Sequence, residues 1–146
     1  MPSWATGPVA ISVNGAVYAT GSPSSYVTLD RTWSNGDTIT YVLPMGFRLT
    51  QYNGFTEIDG RNRYAMEYGP ILLSYTGSSS SSNGGEAQAG GLLVPRIAID
   101  PAQLVAALQP VAGQPLHWSV SGDMTRTYEP YWLAAGALCC YPMIGT

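Results

Sequence analysis

Acidic side chains are the residues of this sequence whose type and spacing could support hydrolytic chemistry. Glycosidases place two carboxyl groups about 5 to 10 Å apart across a cleft. Asp37 and Asp123 each follow a glycine at a predicted turn, where an Asp side chain commonly accepts hydrogen bonds from the nearby backbone. We therefore predict structural roles for both. Glu57 and Asp59 share a polar loop and are kept as candidate contacts for a ligand. The other acids considered for such a pair are Asp30, Glu67 and Glu129.

The sequence gives less support for a catalytic nucleophile, a metal site or a cofactor site than for a pair of carboxyl groups. His117 is the single histidine and lies in a predicted strand beside Trp118, and no G-x-S-x-G elbow is present. We predict a packing or surface role for His117. Cys139 and Cys140 are adjacent, where a disulfide would be strained, and no zinc-type spacing occurs. The sequence therefore predicts no catalytic residue, no metal site and no cofactor.

The longest polar loop, residues 51–63, is the segment best suited to contact a ligand or a partner. It mixes acids, arginines and aromatic rings, and loops of this kind often carry binding residues. Trp33, Trp118 and Trp132, by contrast, are predicted mainly to fill the core, since each aromatic ring can bury about 150–250 Å². The predicted contacts for carbohydrate or a protein surface are Tyr52, Phe55, Glu57, Asp59, Arg61 and Tyr64.

Strands must position these residues, because apolar and polar side chains alternate along much of the chain. Asn14-Gly15 and Asn35-Gly36 supply the positive φ angles of tight hairpins. Residues 64–75 are nearly all apolar and predict one strand buried on both faces. The fold class is therefore all-β, an antiparallel β-sandwich of jelly-roll type. The other strands predicted in this part of the chain cover residues 8–14, 26–33, 39–43 and 45–52.

The second half of the chain combines a low-complexity stretch, a helix and further strands. Residues 78–91 are rich in Ser and Gly and are predicted to form a flexible excursion. Asp100 as N-cap and Pro101 at the first helical position predict one short helix over residues 101–108. Strands follow in the segments PLHWSV, RTYEPYWL and ALCCYPMI. We predict a single domain over residues 1–146.

Composition argues against several classes of partner. The chain has six arginines, which are scattered, no lysine and a net charge of −3, so we predict no nucleic-acid surface. No segment reaches the roughly 18 to 20 consecutive apolar residues of a membrane-spanning helix. The first residues lack the basic region and the cleavage pattern of a signal peptide, so we predict none. The compartment is left open, and a secreted parent protein is compatible with the sequence.

Short motifs in the first half occur in an order that is typical of one family. They are PSW at residues 2–4, NG at 14–15, R-x-W-x-x-GD at 31–37, LPM at 43–45 and YGP at 68–70. Together they resemble the C-terminal region of glycoside hydrolase family 127, the β-L-arabinofuranosidase-like proteins. A D-x-R-x-x-YA pattern at residues 59–65 and the Tyr-rich tail are also similar to members of this family.

The resemblance implies an (α/α)6 catalytic barrel followed by β-sandwich domains, with the catalytic glutamate, the nucleophilic cysteine and the zinc ligands on the barrel. This sequence starts where the barrel would end, and Cys139 and Cys140 do not match the family's ligand positions. We therefore expect a non-catalytic accessory domain that braces the barrel of a parent protein and contacts carbohydrate. Two alternatives stay open: a stand-alone carbohydrate-binding or cell-surface module, and a structural subunit that associates through its sheet edges.

Overall fold

The computed structural model describes residues 1–54, 61–77, 86–89, 92–135 and 139–145. The chain forms two compact units, Met1–Gly46 and Phe47–Thr146, hereafter unit 1 and unit 2. Strands make up 43% and helix 6%, so the predicted all-β class with one short helix is confirmed. The single domain expected over residues 1–146 stays a prediction.

Unit 1 is built on a three-stranded antiparallel sheet. Its strands are β1 (Val9–Val13), β2 (Ala16–Gly21) and β3 (Ile39–Tyr41), in the order β2-β1-β3. The β1–β2 hairpin turns at Asn14 and Gly15, whose φ angles of 52° and 84° lie in the left-handed region that such a turn requires. The apolar positions of β1 are buried, as the alternation predicts. The first strand and its hairpin are therefore confirmed.

The strand predicted over residues 26–33 is wrong. These residues form no ladder, and the Tyr26 side chain is fully exposed. The segment is held by side-chain contacts instead, such as the 2.5 Å hydrogen bond that the Tyr18 hydroxyl donates to the Asp30 carbonyl. An alternating pattern becomes a strand only where a neighbouring strand supplies hydrogen-bond partners. The core position expected for Trp33 is also wrong, since this side chain is 44% exposed.

Unit 2 contains a six-stranded sheet and a smaller three-stranded one. Their orders are β4-β5-β6-β11-β10-β9 and β12-β8-β7, with β12 parallel to β8 and every other pair antiparallel. The strands are β4 (Phe47–Gln51), β5 (Tyr64–Tyr68), β6 (Ile71–Tyr75), β7 (Glu86–Ala89), β8 (Leu92–Ile97), β9 (Leu108–Pro110), β10 (Trp118–Val120), β11 (Asp123–Pro130) and β12 (Met143–Ile144).

Residues 64–75 form two strands rather than the single strand predicted. Gly69 has a φ of 56° and Pro70 follows it, so the chain reverses there and β5 pairs with β6. The pairing of Met66 with Leu73 places both side chains in the core, where neither is exposed. The apolar run was thus a hairpin with both arms buried.

One face of the six-stranded sheet forms the core of unit 2. Tyr128 of β11 lies opposite Tyr75 on one side and Trp118 on the other, and all three side chains are buried. Leu104 of the helix and Ile97 of β8 pack against the same cluster. The core position predicted for Trp118 is confirmed.

Two parts of unit 2 differ from the sequence prediction. Within the predicted flexible excursion, Glu86–Ala89 form β7, because their backbone pairs with residues 92–95 of β8. Residues 78–85 and 90–91 lie outside the described part. The strand expected in ALCCYPMI is reduced to β12 and to an isolated bridge between Tyr75 and Cys139. Both cysteines are free thiols.

The helix, α1, covers Pro101–Ala107 and begins as predicted. The Asp100 carboxylate accepts a 2.8 Å hydrogen bond from the Ala102 N–H, and Pro101 occupies the first turn. The helix ends earlier than expected, because Leu108 adopts an extended conformation and starts β9.

We expect Asp100→Ala to lower the free energy of unfolding by about 1 kcal/mol, because the first helical turn loses its side-chain acceptor. Urea unfolding measures this change. Asp100→Asn is the matched control, since an Asn side chain caps nearly as well. Equal stability of the Ala variant and the wild type would show that the cap contributes nothing.

Candidate functional site

The structure describes three of the six predicted contact residues, Tyr52, Arg61 and Tyr64, and these do not form one platform of open rings. Tyr64 begins β5 and packs against the core cluster of unit 2. Arg61 is exposed. A contact role for these residues stays a prediction. The predicted contacts Phe55, Glu57 and Asp59 lie outside the described residues.

Tyr52 belongs to a small cluster that the sequence did not reveal. Its ring centroid lies 4.9 Å from that of Tyr141, and the Arg63 guanidinium carbon lies 5.0 Å from the Tyr52 ring centroid. Arg63 also donates a 2.9 Å hydrogen bond from Nε to the Tyr141 carbonyl. Tyr141 is remote in sequence, and no local pattern links it to Tyr52. The Tyr52 ring is therefore partly occupied by its own neighbours.

Two acids of unit 2 that were considered for catalysis, Glu67 and Asp123, are held by structural partners. Glu67 receives 2.7 and 2.9 Å hydrogen bonds from Arg48, and these lower the pKa of its carboxyl group. Hydrogen bonds from Thr125 lower the pKa of Asp123 in the same way. A general acid needs a raised pKa, so these shifts are in the direction opposite to the one that acid catalysis requires. The turn role predicted for Asp123 is confirmed.

His117 anchors the loop that precedes β10. Its Nδ1 lies 2.9 Å from the Pro115 carbonyl, and its Nε2 lies 2.7 Å from a carboxylate oxygen of Glu129 on β11. Both ring nitrogens are thus engaged by protein oxygens. This arrangement fits the packing role predicted for His117 and leaves neither nitrogen open as a catalytic base.

The described ranges contain neither a metal-binding cluster nor a membrane-spanning helix. No group of three or more His, Cys, Asp or Glu side chains is arranged to hold a metal ion there. Burial raises the pKa of the Cys139 and Cys140 thiols, which keeps them in the protonated form that binds metals poorly. Within those same ranges, no helix has both the length and the apolar character needed to cross a bilayer.

The family-like motifs of unit 1 converge on Asp37. This carboxylate accepts hydrogen bonds from the Ser34 N–H at 2.9 Å, from Asn14 Nδ2 at 2.7 Å and from Arg31 at 3.2 Å. The Ser34 N–H and the Asn14 amide are the main causes of the lowered Asp37 pKa. Asn14 Oδ1 in turn accepts from the Thr38 N–H at 2.9 Å. This Asp37 cluster ties the β1–β2 turn to the turn before β3, which confirms a structural role for Asp37.

Arg31 extends this cluster to two aromatic rings. Its guanidinium carbon lies 4.9 Å from the ring centroid of Trp33 and 5.9 Å from that of Tyr18. Cation–π contacts of this kind attract each ring to the guanidinium by about 0.5–1 kcal/mol at exposed sites. The R-x-W-x-x-GD motif therefore links both rings to the Asp37 cluster on the surface of unit 1.

Large apolar side chains are concentrated on the surface of unit 1. It carries eight of the twelve that are exposed among the described residues, and its sequence has only three charged side chains. Two of these, Arg31 and Asp37, form an ion pair. We call these eight residues the unit 1 apolar surface. They are Val17, Tyr18, Tyr26, Trp33, Ile39, Tyr41, Val42 and Met45.

Comparison with known proteins gives one match. The family model described as beta-L-arabinofuranosidase, GH127 middle domain, matches residues 1–45, which include the motifs from PSW to LPM. No curated protein and no solved structure matches the chain. The GH127 middle domain is a non-catalytic region of a glycosidase family. The first 45 residues of this chain therefore match the middle domain of the GH127 β-L-arabinofuranosidase family, which confirms the predicted resemblance over that segment.

Proposed function

We propose that this chain is a non-catalytic domain of a GH127-like glycosidase and that unit 1 braces the catalytic (α/α)6 barrel. The observation that carries the proposal is the unit 1 apolar surface. Interface cores are depleted in charged residues and enriched in Tyr, Trp and Met, as this surface is.

The β3 region offers the most specific contact on this surface. Tyr41 and Val42 are 54% and 80% exposed. They border an open depression of about 400 Å³, whose other walls include Pro8 and Pro44. A depression beside two projecting apolar side chains can receive a side chain of the partner, and buried anchors of this kind dominate binding energy.

The Asp37 cluster supports the same proposal because it orders the segment that leads to the docking surface. It holds the segment before β3 by side-chain hydrogen bonds, although residues 26–33 form no ladder. A surface that is already ordered loses less entropy on binding. The GH127 motifs in unit 1 would thus preserve the shape of a docking surface, while the catalytic groups lie on the barrel.

The test is binding to the catalytic barrel of a GH127 β-L-arabinofuranosidase produced without its own middle domain. We expect a saturable complex by isothermal titration calorimetry. Combining Tyr41→Ser with Val42→Ser should weaken it at least about tenfold, equivalent to roughly 1.4 kcal/mol. Removal of two exposed apolar anchors from the interface is the physical reason.

Met124→Ser is the matched control, because Met124 is an exposed apolar residue of unit 2 and should leave barrel binding unchanged. Equal affinity of the barrel for the wild type and the Tyr41/Val42 double variant would refute docking through this surface. Light scattering on the chain alone tests the alternative of self-association. A dimer that the double variant abolishes would favour a structural subunit that pairs through β3, whose three residues are all exposed.

The second part of this proposal is that the loop of residues 51–63 contacts carbohydrate. The Tyr52 ring is shared with Tyr141 and Arg63. A sugar stacking on Tyr52 would have to use the part of the ring that these neighbours leave open.

A further inference from the structure

A pair of perpendicular rings at the end of β11 was not identified from the sequence. Tyr131 and Trp132 follow Pro130, with ring centroids 5.4 Å apart and an interplanar angle of 85°. We call this pair the aromatic corner. Its side chains are 48% and 54% exposed, so the core position predicted for Trp132 is wrong. About half of each side chain's surface is therefore accessible to a ligand.

The backbone holds the aromatic corner in place. The Leu133 N–H donates a 2.8 Å hydrogen bond to the Pro130 carbonyl, which closes a four-residue turn around the two rings. The Tyr131 N–H donates a 3.2 Å hydrogen bond to the Leu72 carbonyl of β6. Pro130 itself is fully buried. The two rings are therefore presented from a turn anchored to the sheet, with little conformational freedom to lose on binding.

The absence of charged side chains from the surrounding sequence favours a neutral ligand over a charged one. Residues 130–145 contain no charged side chain, and Glu129 is engaged by His117. A charged ligand would find no partner in this segment. The corner instead combines apolar ring faces with one phenol hydroxyl and one indole N–H, both of which can form hydrogen bonds with a neutral ligand.

We propose that the aromatic corner binds a neutral saccharide. A sugar ring has apolar C–H groups that pack on aromatic rings, and its hydroxyl groups can form hydrogen bonds with the phenol and indole groups. The choice of sugar class rests on the match of residues 1–45 to a glycosidase family, and so on the proposed origin of the chain. It does not depend on docking of unit 1 to a barrel.

A lipid bilayer is the main competing partner for exposed Trp and Tyr side chains, and the chain favours it less. Interfacial anchors usually combine aromatic residues with Lys or Arg, which attract anionic lipid headgroups. This chain has no lysine and a net charge of −3, and no arginine occurs after Arg126. Among the described residues, the corner exposes only three apolar side chains, Tyr131, Trp132 and Leu133. This is a small apolar surface for insertion into a bilayer.

The experiment uses the whole chain without any barrel, so that its outcome is separate from the docking test. Arabinan, arabinogalactan and β-galactan serve as probes in affinity gel electrophoresis, and oligosaccharides of the retarding glycan are then titrated by tryptophan fluorescence. We expect saturable binding to at least one of these glycans. Trp132→Ala should weaken it at least about tenfold, because the stacking face is lost, and Tyr131→Phe should weaken it about threefold.

Met124→Ala is the matched control. Met124 is an exposed apolar residue of unit 2 that carries no aromatic ring, so its truncation should leave glycan affinity unchanged. Circular dichroism confirms that each variant is folded. The proposal is overturned if none of the probes binds, if Trp132→Ala binds as the wild type does, or if Trp132→Ala and Met124→Ala lose affinity equally. Trp132-dependent binding to phosphatidylcholine vesicles without glycan binding would assign the corner to a membrane surface instead.

Discussion

Tyr128→Ala is expected to lower the free energy of unfolding of unit 2 by about 3–5 kcal/mol, as for other large aromatic residues truncated in a core. Tyr128 is completely buried, and its ring centroid lies 5.4 Å from that of Tyr75. It also pairs with Trp118 across the sheet, so truncation leaves a cavity between the side chains of Tyr75 and Trp118. Urea unfolding followed by tryptophan fluorescence should show a lower midpoint with little change in slope.

Tyr128→Phe is the control that separates ring packing from the hydroxyl group. Among the described residues, neither the Tyr128 nor the Tyr75 hydroxyl has a hydrogen-bond partner. Burial raises the pKa of Tyr75 to about 12 and that of Tyr128 well above its usual value, so both phenols are neutral at pH 7. An unsatisfied buried donor costs about 1–3 kcal/mol, so Tyr128→Phe should leave stability unchanged or raise it by up to this amount. A loss above about 1 kcal/mol would reveal a partner for the hydroxyl.

Asn14→Ala is expected to destabilise unit 1 by about 2–4 kcal/mol. The variant loses the hydrogen bond from Thr38 N–H and the one to Asp37, each worth about 0.5–1.5 kcal/mol. It also places a Cβ-bearing residue without a local hydrogen bond at a φ of 52°, which costs about 1 kcal/mol more. Hydrogen exchange of the β1 and β3 amides measures the change within unit 1.

Asn14→Gly isolates the side-chain bonds, because glycine adopts the same φ without strain. It should be destabilising by a smaller amount than Asn14→Ala. If the two variants exchange at the same rate, backbone strain has no part in the effect. Faster exchange in β7 and β8 of unit 2, at the level seen in unit 1, would contradict a local role for Asn14.

Acidification should weaken the Asp37 cluster in the wild type. The pKa of Asp37 is lowered in the folded chain from its ordinary value of 3.8. Its stabilising effect is therefore fully present above pH 4 and is lost as pH falls through the lower, folded pKa. The thermal midpoints of wild type and Asn14→Ala should accordingly converge as the pH is lowered below about 4, since the Asn14 amide contributes to that pKa shift.

Local chemistry explains which predictions were confirmed. The Asn14-Gly15 turn depends on φ angles that these two residues adopt with little strain, and alternation of Val9, Ile11 and Val13 assigns the buried face of β1. Asp100 followed by Pro101 starts the helix for a similar reason, because capping uses groups within three residues of each other. In each case the interacting groups are neighbours in the chain.

Contacts between distant segments explain the errors. Residues 26–33 alternate as a strand does, but no strand pairs with them in the structure. Tyr52 meets Tyr141, and Trp33 meets the guanidinium of Arg31 at the surface instead of entering a core. Trp118 and Trp132 looked alike in sequence, yet only Trp118 lies on the buried face of the sheet. Aromatic residues are found both in protein cores and at binding surfaces. Composition alone therefore does not distinguish a buried ring from an exposed one.

The sequence by itself determined the all-β class, the first hairpin, the helix start and the resemblance to GH127, because turn chemistry, alternation and short motifs are properties of adjacent residues. It also identified Asp37 and Asp123 as turn acids. The tertiary structure alone decided which strands exist, where the Gly69-Pro70 reversal divides an apolar run, and which rings are open to solvent. Those features depend on partners far along the chain, since hydrogen-bond ladders and burial arise only when remote segments pack together.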